Sequence, residues 1–389
     1  MPPRPLIRHI VYECLPGAYC GGVQKMVFEL ASAQRRQGAE VEVWTLDAIR
    51  AGSTEEFDGL PVRYFMPDPL MGFARSFRLA KELGTLPRGS ILHAHNTYNP
   101  LNLQVGRAAA KHGHRAFYHP HGALDPVLFS GWDFKSLKKR FYIQWFSGPN
   151  LNRSAGVFAL TPLERCQLQS LGITSPIHVI SNGISPVVVG STQAGAELRR
   201  TCGIDAHQPV ALFIGRITSK KKLEDIIHAL SLMGLRLPHL LIGGDPAAGS
   251  AYGQALFAHV RQWGCAARVH WLGFLDEAAK AAAYAAADVF VHASESEGMA
   301  LAILEAMDAA LPVVVTRGCY MSVAASAGAL VQCEQGPEAL ARALSPLLCN
   351  RVAARAQGLA GQAYVRRAHD WNHLAQAMLR IYQEGMAAA

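Results

Sequence analysis

Two glutamates eight residues apart lie in an otherwise apolar segment of the chain. In "SESEGMALAILEAM", residues 294–307, every residue between Gly298 and Met307 except Glu305 is Ala, Leu, Ile or Met. These residues favour a helix that is apolar nearly all round, and a buried carboxylate on such a helix needs a partner. If the helix starts at Glu297, the two carboxylates lie about 12 Å apart along its axis. The pattern predicts either a capping glutamate followed by one paired with an internal arginine, or two carboxylates that bind a ligand.

A second candidate site follows the strand-like segment "FIG", residues 213–215. Arg216 stands at the expected carboxyl end of this strand, and Lys221 lies five residues later, near the start of the next predicted helix. Arginine offers a bidentate fork and lysine a point charge, a combination that binds a diphosphate. The alternative is a solvated basic loop, which is the usual role of a run of lysines.

Histidines follow two other strand-like segments. "YHPHGALDP" places His119 and His121 on either side of a proline, and "HAH" gives His93 and His95 one strand earlier. An imidazole can donate to a phosphate or to a sugar hydroxyl, and the glycine after His121 lets its ring project towards a ligand. We therefore select His121 as a site residue, with His95 and His119 as further candidates. The four histidines come with no paired carboxylates at ligand spacing, so we predict no metal site.

Two glycine-containing segments could approach a ligand or turn the chain. Gly21 and Gly22, in "CGGVQ", follow the first predicted strand and open a helix, whose N-terminal N–H groups favour an anion. A plain tight turn is the alternative there. Asn182 and Gly183, in "ISNGI", form a turn signal at the expected domain junction. A simple turn is the alternative to a site residue at Asn182.

The elements that must position these residues alternate between strands and helices. Apolar runs such as "VEVWTL", "ILHAH", "PVALFIG" and "DVFVHA" are separated by helical patterns such as residues 24–37 and 223–232. This alternation predicts parallel sheets with crossover helices, and the near-continuous apolar strands fit sheets that are covered on both faces. Ligands of such sheets bind beyond the carboxyl ends of the strands, where the selected residues stand.

Length and composition indicate two folded domains. The chain has 389 residues, of which 50% are hydrophobic and 17% charged, so it is expected to be globular and to exceed one ordinary core. The stretch from 180 to 197 is rich in Gly and Ser and predicts a linker. We expect Rossmann-like α/β domains over residues 1–183 and 186–367, facing each other across a cleft. A last helical pattern, residues 371–386, is expected to cross back and pack on the first domain.

Composition also narrows the expected location and partners. No apolar run approaches the length of a membrane-spanning helix, the N-terminus is a poor signal peptide, and the eight cysteines are scattered, which predicts reduced thiols in the cytoplasm. Residues 1–183 carry 20 Lys and Arg against 13 Asp and Glu, a balance of +7, whereas residues 184–389 carry 17 against 16. A basic first domain can meet nucleic acid, anionic lipid or a phosphorylated acceptor.

The segment "WDFKSLKKRFYIQWFSG", residues 132–148, concentrates basic and aromatic side chains. At helical spacing one face of this segment forms an apolar stripe of Phe134, Leu137, Phe141 and Trp145. The stripe is flanked by the basic residues Lys135, Lys138, Lys139 and Arg140. Such a helix can lie in a membrane interface, or its aromatic side chains can pack into the core of the first domain. The charge of the first domain favours the membrane. We therefore expect peripheral binding to an anionic surface, on the inner face of the plasma membrane.

The order of these motifs along the chain resembles that of the retaining family-four glycosyltransferases of the GT-B fold. The resemblance covers nearly the whole chain and is strongest in "HASESEGMALAILEAM", which is similar to the family's Ser-x-x-Glu-Gly…Leu-Glu-Ala segment. "GGVQKMVFELASAQRRQGAEVEV" is similar to the family's opening diphosphate loop and first helix, and "IGRITSKKK" to its Gly-Arg…Lys segment. "ISNGI" is similar to its interdomain Asn-Gly, and "WNHLAQAMLRIY" to its crossover helix.

The resemblance implies a role for each selected residue. The glycine loop would approach the diphosphate or the transferring sugar, and the two cations would neutralise the diphosphate leaving group. Glu297 and the amides after it would hold sugar hydroxyls, Glu305 would find its partner in the donor ribose, and His121 would face the transferring sugar. The implied catalytic set is His121, Glu297, Arg216 and Lys221, and the candidates for the acceptor side are His95, His119 and Asn182. The implied donor-binding set is Gly21, Gly22, Arg216, Lys221, Glu297, Gly298, Met299, Ala300, Leu301 and Glu305.

The implied reaction moves a hexose from a UDP- or GDP-linked sugar to an acceptor hydroxyl, with retention at the anomeric carbon. The expected acceptor is a lipid-linked or growing saccharide in surface polysaccharide synthesis. No metal or other cofactor is expected, because cations and helix N-termini can stabilise the leaving group. One alternative is a nucleotide-sugar epimerase of the same architecture, which the crossover helix and the Glu-x7-Glu spacing disfavour. The other is a non-catalytic nucleic-acid-binding protein, which the absence of an aromatic stacking platform disfavours, so no nucleic-acid partner is expected.

Three positions depart from the family's pattern. Lys222 stands where the family usually has glycine, which leaves Lys220, Lys221 and Lys222 as alternatives for the phosphate contact. Ala300 replaces the second glycine of the commoner Glu-Gly-Phe-Gly pattern. Ala310 stands where the usual segment before Leu-Pro has a glycine. None of the three changes removes a charged group.

Overall fold

A computed structural model of the protein describes residues 6–14, 21–68, 75–234, 238–246 and 250–387. The chain divides into two compact units. Unit 1 comprises residues 1–183 and 369–389, and unit 2 comprises residues 184–368. The sequence placed the domains at 1–183 and 186–367 and the last helix at 371–386, close to these divisions.

Unit 1 is built on one mixed sheet. Its described strands are β1 (Leu6–Val11), β2 (Glu40–Leu46), β3 (Thr54–Phe57), β4 (Leu60–Phe65), β5 (Ile91–His95), β6 (Arg115–His119), β7 (Gly156–Ala159) and β8 (Ile177–Val179). They lie in the order β3-β4-β2-β1-β5-β6-β7-β8, and every described pairing is parallel except that of β3 with β4. The helices are α1 (Gly22–Arg36), α2 (Phe77–Leu83), α3 (Pro100–His112), α4 (Phe134–Tyr142), α5 (Gly148–Leu151), α6 (Pro162–Ser170) and, from the end of the chain, α15 (Trp371–Ala387).

Unit 2 is built on a parallel sheet. Its described strands are β9 (Val210–Ile214), β10 (His239–Gly243), β11 (Val269–Gly273), β12 (Val289–His292), β13 (Val313–Thr316) and β14 (Val331–Cys333), in the order β11-β10-β9-β12-β13-β14. Its helices are α7 (Thr192–Thr201), α8 (Leu223–Ser231), α9 (Ala251–Gln262), α10 (Glu277–Ala286), α11 (Leu301–Asp308), α12 (Ser322–Ser326), α13 (Pro337–Cys349) and α14 (Arg351–Ala368).

Both sheets have the doubly wound strand order. The strands of unit 2 lie as 3-2-1-4-5-6 when they are counted along that unit, and the parallel strands of unit 1 follow the same order with one more strand at the end. The order reverses between β1 and β5 in unit 1 and between β9 and β12 in unit 2. Ligands of such sheets bind beyond the carboxyl ends of the strands at the reversal. The predicted class, two Rossmann-like α/β units, is confirmed.

The most continuous apolar strands of the sequence are fully buried in the structure. Residues 210–213 of β9 and 240–242 of β10 are fully buried, which explains their near-continuous apolar sequences. Three edge strands were missed, namely β3, β8 and β14. They have only three or four residues, and all of those residues are partly or fully exposed, so they lack an apolar pattern.

The last helix, α15, packs within unit 1. Trp371 Nε1 donates to Glu29 Oε2 of α1 at 2.7 Å, and Tyr382 is fully buried with its hydroxyl 2.6 Å from His93 Nδ1. A Cβ atom at Gly183 would lie 2.3 Å from the Trp371 ring. Gly183 has no positive φ, so it is needed for this close approach and not for the turn that the sequence suggested.

Two of the three departures from the family's pattern lie in the left-handed backbone region. Lys222 has φ 47° and Ala310 has φ 57°, whereas Ala300 has φ −70° and ψ 117°. A residue with a Cβ atom pays about 1–2 kcal/mol for the left-handed conformation, which glycine adopts freely. The absence of glycine therefore strains the backbone at Lys222 and Ala310, and does not strain it at Ala300.

We expect Ala310→Gly to raise the free energy of unfolding by up to about 1 kcal/mol. The substitution removes the strain, and the greater freedom of the unfolded chain offsets about 0.4–1 kcal/mol of that gain. Ala309, with φ −71°, is the matched control, because glycine there brings only the unfolded-state cost and should destabilise the protein. Urea unfolding of the two variants measures the difference. Equal destabilisation by both would show that Ala310 is not strained.

Candidate functional site

The strand-order reversal in unit 2 brings Arg216, Lys221 and Glu297 to the carboxyl ends of β9 and β12. Arg216 follows β9 after a single glycine and is exposed, and no residue in the described part of the chain pairs with its guanidinium. Lys221 closes a short 3-10 turn just before α8. Glu297 lies in the loop after β12. The strand-end position predicted for the two cations is therefore observed.

A buried ion pair joins Lys221 to Glu297. Lys221 Nζ and Ser294 Oγ both make short contacts with Glu297 Oε1, and His292 Nε2 lies 3.6 Å from the same oxygen. The side chains of Lys221 and Glu297 are only 14% and 11% exposed. Burial alone would raise the pKa of Glu297, but the contact with His292 and the charge of Lys221 outweigh burial and hold that pKa well below its ordinary value. Glu297 is therefore a carboxylate at neutral pH and can accept hydrogen bonds from hydroxyl groups.

The three lysines of the β9–α8 loop have different partners. Lys222 Nζ pairs with Glu295 Oε1 at 2.8 Å, and the carbonyl of Lys220 accepts from the Glu295 N–H at 2.9 Å. Among the three, only Lys221 makes a described ion pair with Glu297. Of the alternatives that the sequence left open, this geometry favours Lys221.

The helix predicted to start at Glu297 begins four residues later. α11 starts at Leu301, with Ala300 as an extended N-cap residue that makes no side-chain capping bond. Glu297 is therefore not on the same helix as Glu305, and the predicted 12 Å spacing along one helix is wrong. The reason is that Glu297 bonds to Ser294 and Lys221 and does not cap α11. The amides from 298 to 301 lead into the N-terminus of α11, where the first N–H groups have no partner within the helix.

Glu305 has protein partners inside unit 2. It is 5% exposed, and its Oε2 accepts from Lys280 Nζ at 3.2 Å and from the Tyr284 hydroxyl at 3.0 Å. Lys280 and Tyr284 lie one turn apart on α10. Burial and the charge of Glu305 raise the pKa of Tyr284 well above its ordinary value, so that its hydroxyl stays a donor. The expectation that Glu305 finds its partner only in a ligand is wrong, and its internal partners are a lysine and a tyrosine instead of an arginine.

The glycine loop of unit 1 opens α1, as predicted. Gly21 is the N-cap residue, Gly22 is the first helical residue, and the Lys25 N–H donates to the Gly21 carbonyl at 3.1 Å. Cys20, the first residue of the "CGGVQ" motif, lies outside the described residues. The helix follows β1, so its free N–H groups stand at the strand-order reversal of unit 1.

Five histidines gather at one face of the unit 1 sheet. The strand register pairs His9 with His93 and His95 with His119. His93 and His95 are two residues apart on β5 and therefore face the same side. His121 follows β6 with a left-handed φ of 56°. His9, His93, His95 and His119 are at most 1% exposed, and His121 is half-buried.

This burial corrects the predicted acceptor-side residues. His95 and His119 are inside the unit, so their imidazoles cannot contact an acceptor directly. The side chain of Asn182 is also buried, and the backbone carbonyl of Asn182 accepts from His369 Nδ1 at 2.7 Å. Within the histidine group only His121 is partly accessible.

Desolvation keeps the histidine group neutral. Burial lowers the pKa of His9 to about 4 and that of His121 to about 3. Burial, helped by the neighbouring imidazoles, also holds the pKa values of His93, His95 and His119 well below their ordinary value near 6.5.

The ring nitrogens of this group lie close together. Those of His95, His119 and His121 are within 4.8 Å of one another, and so are those of His9, His93 and His95. The prediction of no metal site rested on the lack of carboxylates, and the fold brings imidazoles together instead. However, His9 and His95 are hydrogen-bonded to each other at 2.9 Å, and His95 to His121 at 3.0 Å, so these contacts already use their ring nitrogens.

Glu164 anchors the loop that carries His121, and the sequence reasoning missed it. Its Oε1 accepts from the Gly122 N–H at 2.7 Å and its Oε2 from the Leu160 N–H at 2.6 Å. Thr161 Oγ1 accepts from the Glu164 N–H at 3.0 Å. The Thr-x-x-Glu spacing at a helix start is the sequence signal that identifies such a residue.

Comparisons with known proteins match both units. Residues 21–183 match the family model described as "Glycosyl transferase 4-like domain", and residues 208–350 match the one described as "Glycosyl transferases group 1". The chain is 27% identical over 385 residues to a phosphatidyl-myo-inositol mannosyltransferase of Mycobacterium tuberculosis, which covers 93% of each chain.

Solved structures agree in fold. The sucrose-phosphate synthase of Thermosynechococcus elongatus superposes with a TM-score of 0.83 at 19% identity, over 99% of this chain and 100% of that one. Anabaena HepE in complex with UDP-glucose superposes with a TM-score of 0.78 at 19% identity, over 98% of this chain and 99% of that one. The chain therefore belongs to the family-four glycosyltransferases with the GT-B fold, and it is a glycosyltransferase.

Proposed function

We propose that the protein is a retaining hexosyltransferase that moves a hexose from a UDP- or GDP-linked sugar to an acceptor hydroxyl. One observation carries the proposal: the buried Lys221–Glu297 pair lies in the same strand-end loops as Arg216, which is exposed and has no partner among the described residues. The pair offers a cation for a phosphate and a carboxylate for sugar hydroxyls, and the arginine offers a second cation. The UDP-glucose bound to Anabaena HepE supports a nucleotide sugar as the donor.

The proposed chemistry is electrostatic. As the bond between the sugar and the diphosphate breaks, negative charge grows on the diphosphate, and Arg216 and Lys221 stabilise it, together with the N-terminus of α11. Glu297 orients the sugar through its hydroxyls. These groups supply the positive charge that a metal ion would otherwise provide, so we propose a metal-independent reaction.

Binding of a donor to unit 2 can be tested by thermal unfolding with a panel of nucleotide sugars. A true donor present at a hundred times its dissociation constant should stabilise the protein by about 2.7 kcal/mol. Arg216→Ala should reduce that stabilisation while leaving the ligand-free protein unchanged. If no UDP- or GDP-linked sugar stabilises the wild type, the proposed donor class is wrong.

We propose that Glu305 also binds the donor ribose. A carboxylate accepts up to about four hydrogen bonds, so its contacts with Lys280 and Tyr284 are compatible with a ribose hydroxyl as a further donor. The two helix partners would then orient the carboxylate.

We expect Glu305→Gln to raise the donor KM and to lower the free energy of unfolding by about 1–3 kcal/mol, since Lys280 loses its buried counter-charge. Lys280→Met is the matched control, because it disturbs the same pair without removing the proposed ribose acceptor. Nucleotide-release kinetics and urea unfolding of the two variants separate the effects. The ribose role is contradicted if both variants raise the donor KM equally.

The acceptor is proposed to be a lipid-linked saccharide, reached at the inner face of the plasma membrane. The predicted alternative, that the aromatic residues around α4 pack into the core, is wrong for most of them. Trp132, Phe134 and Trp145 are 85%, 83% and 66% exposed. The exposed side chains of this segment form what we call the aromatic surface, which consists of Trp132, Phe134, Leu137, Phe141, Trp145 and Phe146.

The cations beside the aromatic surface divide into two pairs. Lys139 Nζ donates to the Leu128 carbonyl at 3.3 Å, and the Arg140 guanidinium lies 5.1 Å from the centre of the Trp132 ring. Lys135 and Lys138 are exposed, and their ammonium groups bind no residue in the described ranges. They are free to meet anionic head groups. No helix among the described residues is long and apolar enough to cross a bilayer, so the proposed contact is with the membrane surface. The lipid in the name of the mycobacterial relative supports an acceptor of this class.

We expect the wild type to sediment with anionic vesicles, and the Lys135→Glu/Lys138→Glu variant to bind about thirtyfold more weakly. Each basic residue near an anionic surface contributes about 1 kcal/mol, and 1.4 kcal/mol corresponds to a factor of ten. The matched control is Arg36→Glu/Lys81→Glu, which reverses two exposed charges on α1 and α2. The proposal fails if the wild type does not sediment, or if the two variants lose binding equally.

A further inference from the structure

A chain of hydrogen-bonded side chains leads from α1 to the loop after β6. His9 Nε2 lies 2.8 Å from Gln34 Oε1, and His9 Nδ1 lies 2.9 Å from His95 Nε2. His95 Nδ1 in turn lies 3.0 Å from His121 Nε2. Gln34, His9 and His95 are fully buried, and His121 is the partly accessible end of the chain.

The imidazole rings in this chain meet edge to edge. The ring centroids of His9 and His95 are 5.2 Å apart with 22° between the planes, and those of His95 and His121 are 5.3 Å apart with 18°. With the nitrogens about 3 Å apart, these separations place neighbouring rings end to end and nearly in one plane, so that each N–H points at a lone pair. His119 stacks on the face of His121 at 3.9 Å, which holds the ring of His121 in this orientation.

Every link of the chain needs one N–H and one lone pair. A neutral imidazole has one of each, so a ring that donates from one nitrogen must accept at the other. Once the donor and the acceptor are fixed at one end, the donor and acceptor of every other hydrogen bond follow. The rings are neutral at pH 7, since burial lowers the pKa of His9 to about 4 and that of His121 to about 3.

Gln34 fixes the direction. Its amide nitrogen lies 3.8 Å from Met378 Sδ, and a thioether can only accept a hydrogen bond. The amide oxygen therefore faces His9, and His9 must carry its proton on Nε2. His9 Nδ1 then accepts from His95 Nε2–H, and His95 Nδ1 accepts from His121 Nε2–H.

We propose that Gln34, acting through His9 and His95, holds His121 in the Nε2–H tautomer, which leaves the Nδ1 lone pair for a ligand. No residue in the described ranges hydrogen-bonds to His121 Nδ1. The free nitrogen therefore accepts a hydrogen bond from a ligand hydroxyl, and it does not donate to a phosphate oxygen. Gln34, His9 and His95 are positioning residues in this arrangement. The identification of that hydroxyl as one on the transferring sugar rests on the proposed function.

The protein contains its own references for the two tautomers. His114 Nε2 lies 2.8 Å from the Leu83 carbonyl, and His369 Nδ1 lies 2.7 Å from the Asn182 carbonyl. A carbonyl only accepts, so His114 is an Nε2–H tautomer and His369 an Nδ1–H tautomer. Long-range proton–nitrogen correlation spectra of the 389-residue, histidine-labelled, ligand-free protein at pH 7.5 display both patterns.

We expect His9, His95 and His121 to show the pattern of His114, with the Nε2–H form at least about tenfold in excess at His121. The proposal is overturned if His121 shows the pattern of His369 or an average of the two. This measurement uses no substrate, so its result stands whether or not the proposed transferase function is correct.

Two substitutions test the origin of the tautomer. Gln34→Met removes the acceptor at the buried end, and His9→Phe interrupts the chain with a ring of similar size, so a folding defect in one variant leaves the other. Each substitution should bring the populations of the two His121 tautomers to within about threefold of each other. Gln104→Met, which makes the same change elsewhere in unit 1, is the control and should leave the Nε2–H tautomer in about tenfold excess. If His121 keeps the same tautomer in both Gln34→Met and His9→Phe, the role proposed for Gln34 is overturned. Under the proposed function, Gln34→Met should also raise the donor KM more than it lowers kcat.

Discussion

Lowering the pH from 7 to 4 is expected to remove most of the stability of the protein. A histidine in the unfolded chain has a pKa near 6.5, and burial lowers the folded value of all five histidines at the face of the unit 1 sheet, to about 4 for His9 and about 3 for His121. Below about pH 6.5 the unfolded state therefore binds more protons than the folded state. The free energy of unfolding consequently decreases as the pH is lowered. Each such histidine contributes up to about 1.4 kcal/mol per pH unit, against a total stability of about 5–15 kcal/mol.

Urea unfolding at a series of pH values measures this loss, and His119→Phe tests its source. Neither ring nitrogen of His119 has a hydrogen-bond partner among the described residues, so phenylalanine removes a titrating group without removing a bond. The variant should lose stability less steeply below pH 6.5, by up to about 1.4 kcal/mol per pH unit. His207→Asn, at an exposed position, is the control and should leave the slope unchanged. Stability that is constant between pH 7 and pH 5 would contradict the neutral state of the histidine group.

Arg216→Ala and Lys221→Ala are expected to reduce turnover alike but to differ in stability. Each removes one cation from the diphosphate, so turnover should fall tenfold or more, which is about 1.4 kcal/mol or above. Arg216 is exposed and unpaired among the described residues, and its loss should leave the free energy of unfolding unchanged. Lys221→Ala leaves Glu297 buried without its counter-charge, which costs about 3–5 kcal/mol.

A double variant and two neighbouring lysines supply the controls for this prediction. Glu297→Gln added to Lys221→Ala should restore most of the stability but not the turnover, because the unpaired charge is gone while the cation is still missing. Lys222→Ala breaks only the partly exposed pair with Glu295 and should cost less than about 1 kcal/mol. If Lys220→Ala or Lys222→Ala lowers turnover as much as Lys221→Ala does, the assignment of Lys221 is wrong.

The fold could be predicted from the sequence where a local pattern reflects burial. The strand β9 is apolar along its whole length and almost completely buried, and the alternation of such strands with helices indicated the fold class. Edge strands such as β14 have no such pattern. The role of Gly183 was also beyond local reasoning, because the Trp371 ring that it approaches is 188 residues later in the chain.

The sequence predicted which residues lie at the candidate site better than it predicted their hydrogen-bond and ion-pair partners. A cation after a strand and a glycine pair before a helix are local signals, and Arg216, Lys221 and Gly22 lie where they were expected. Partners from distant segments have no local signal: Glu305 is paired by Lys280 of α10, and His95 by His9 of another strand. "HAH" in β5 did contain usable information, since two histidines two residues apart on a strand share a face. The helix start at Glu297 was misplaced because the sequence does not show that Ser294 and Lys221 bind this carboxylate.

The most direct test of the account is nucleotide release from the best-binding UDP- or GDP-linked hexose, with the product characterised by NMR. We expect saccharide or lipid-linked saccharide acceptors to accelerate release and chelation of metal ions to leave the rate unchanged. Arg216→Ala should slow release at least about tenfold, and the new glycosidic bond should keep the anomeric configuration of the donor. Inversion of that configuration, or a release rate that is unaffected by Arg216→Ala, would contradict this account.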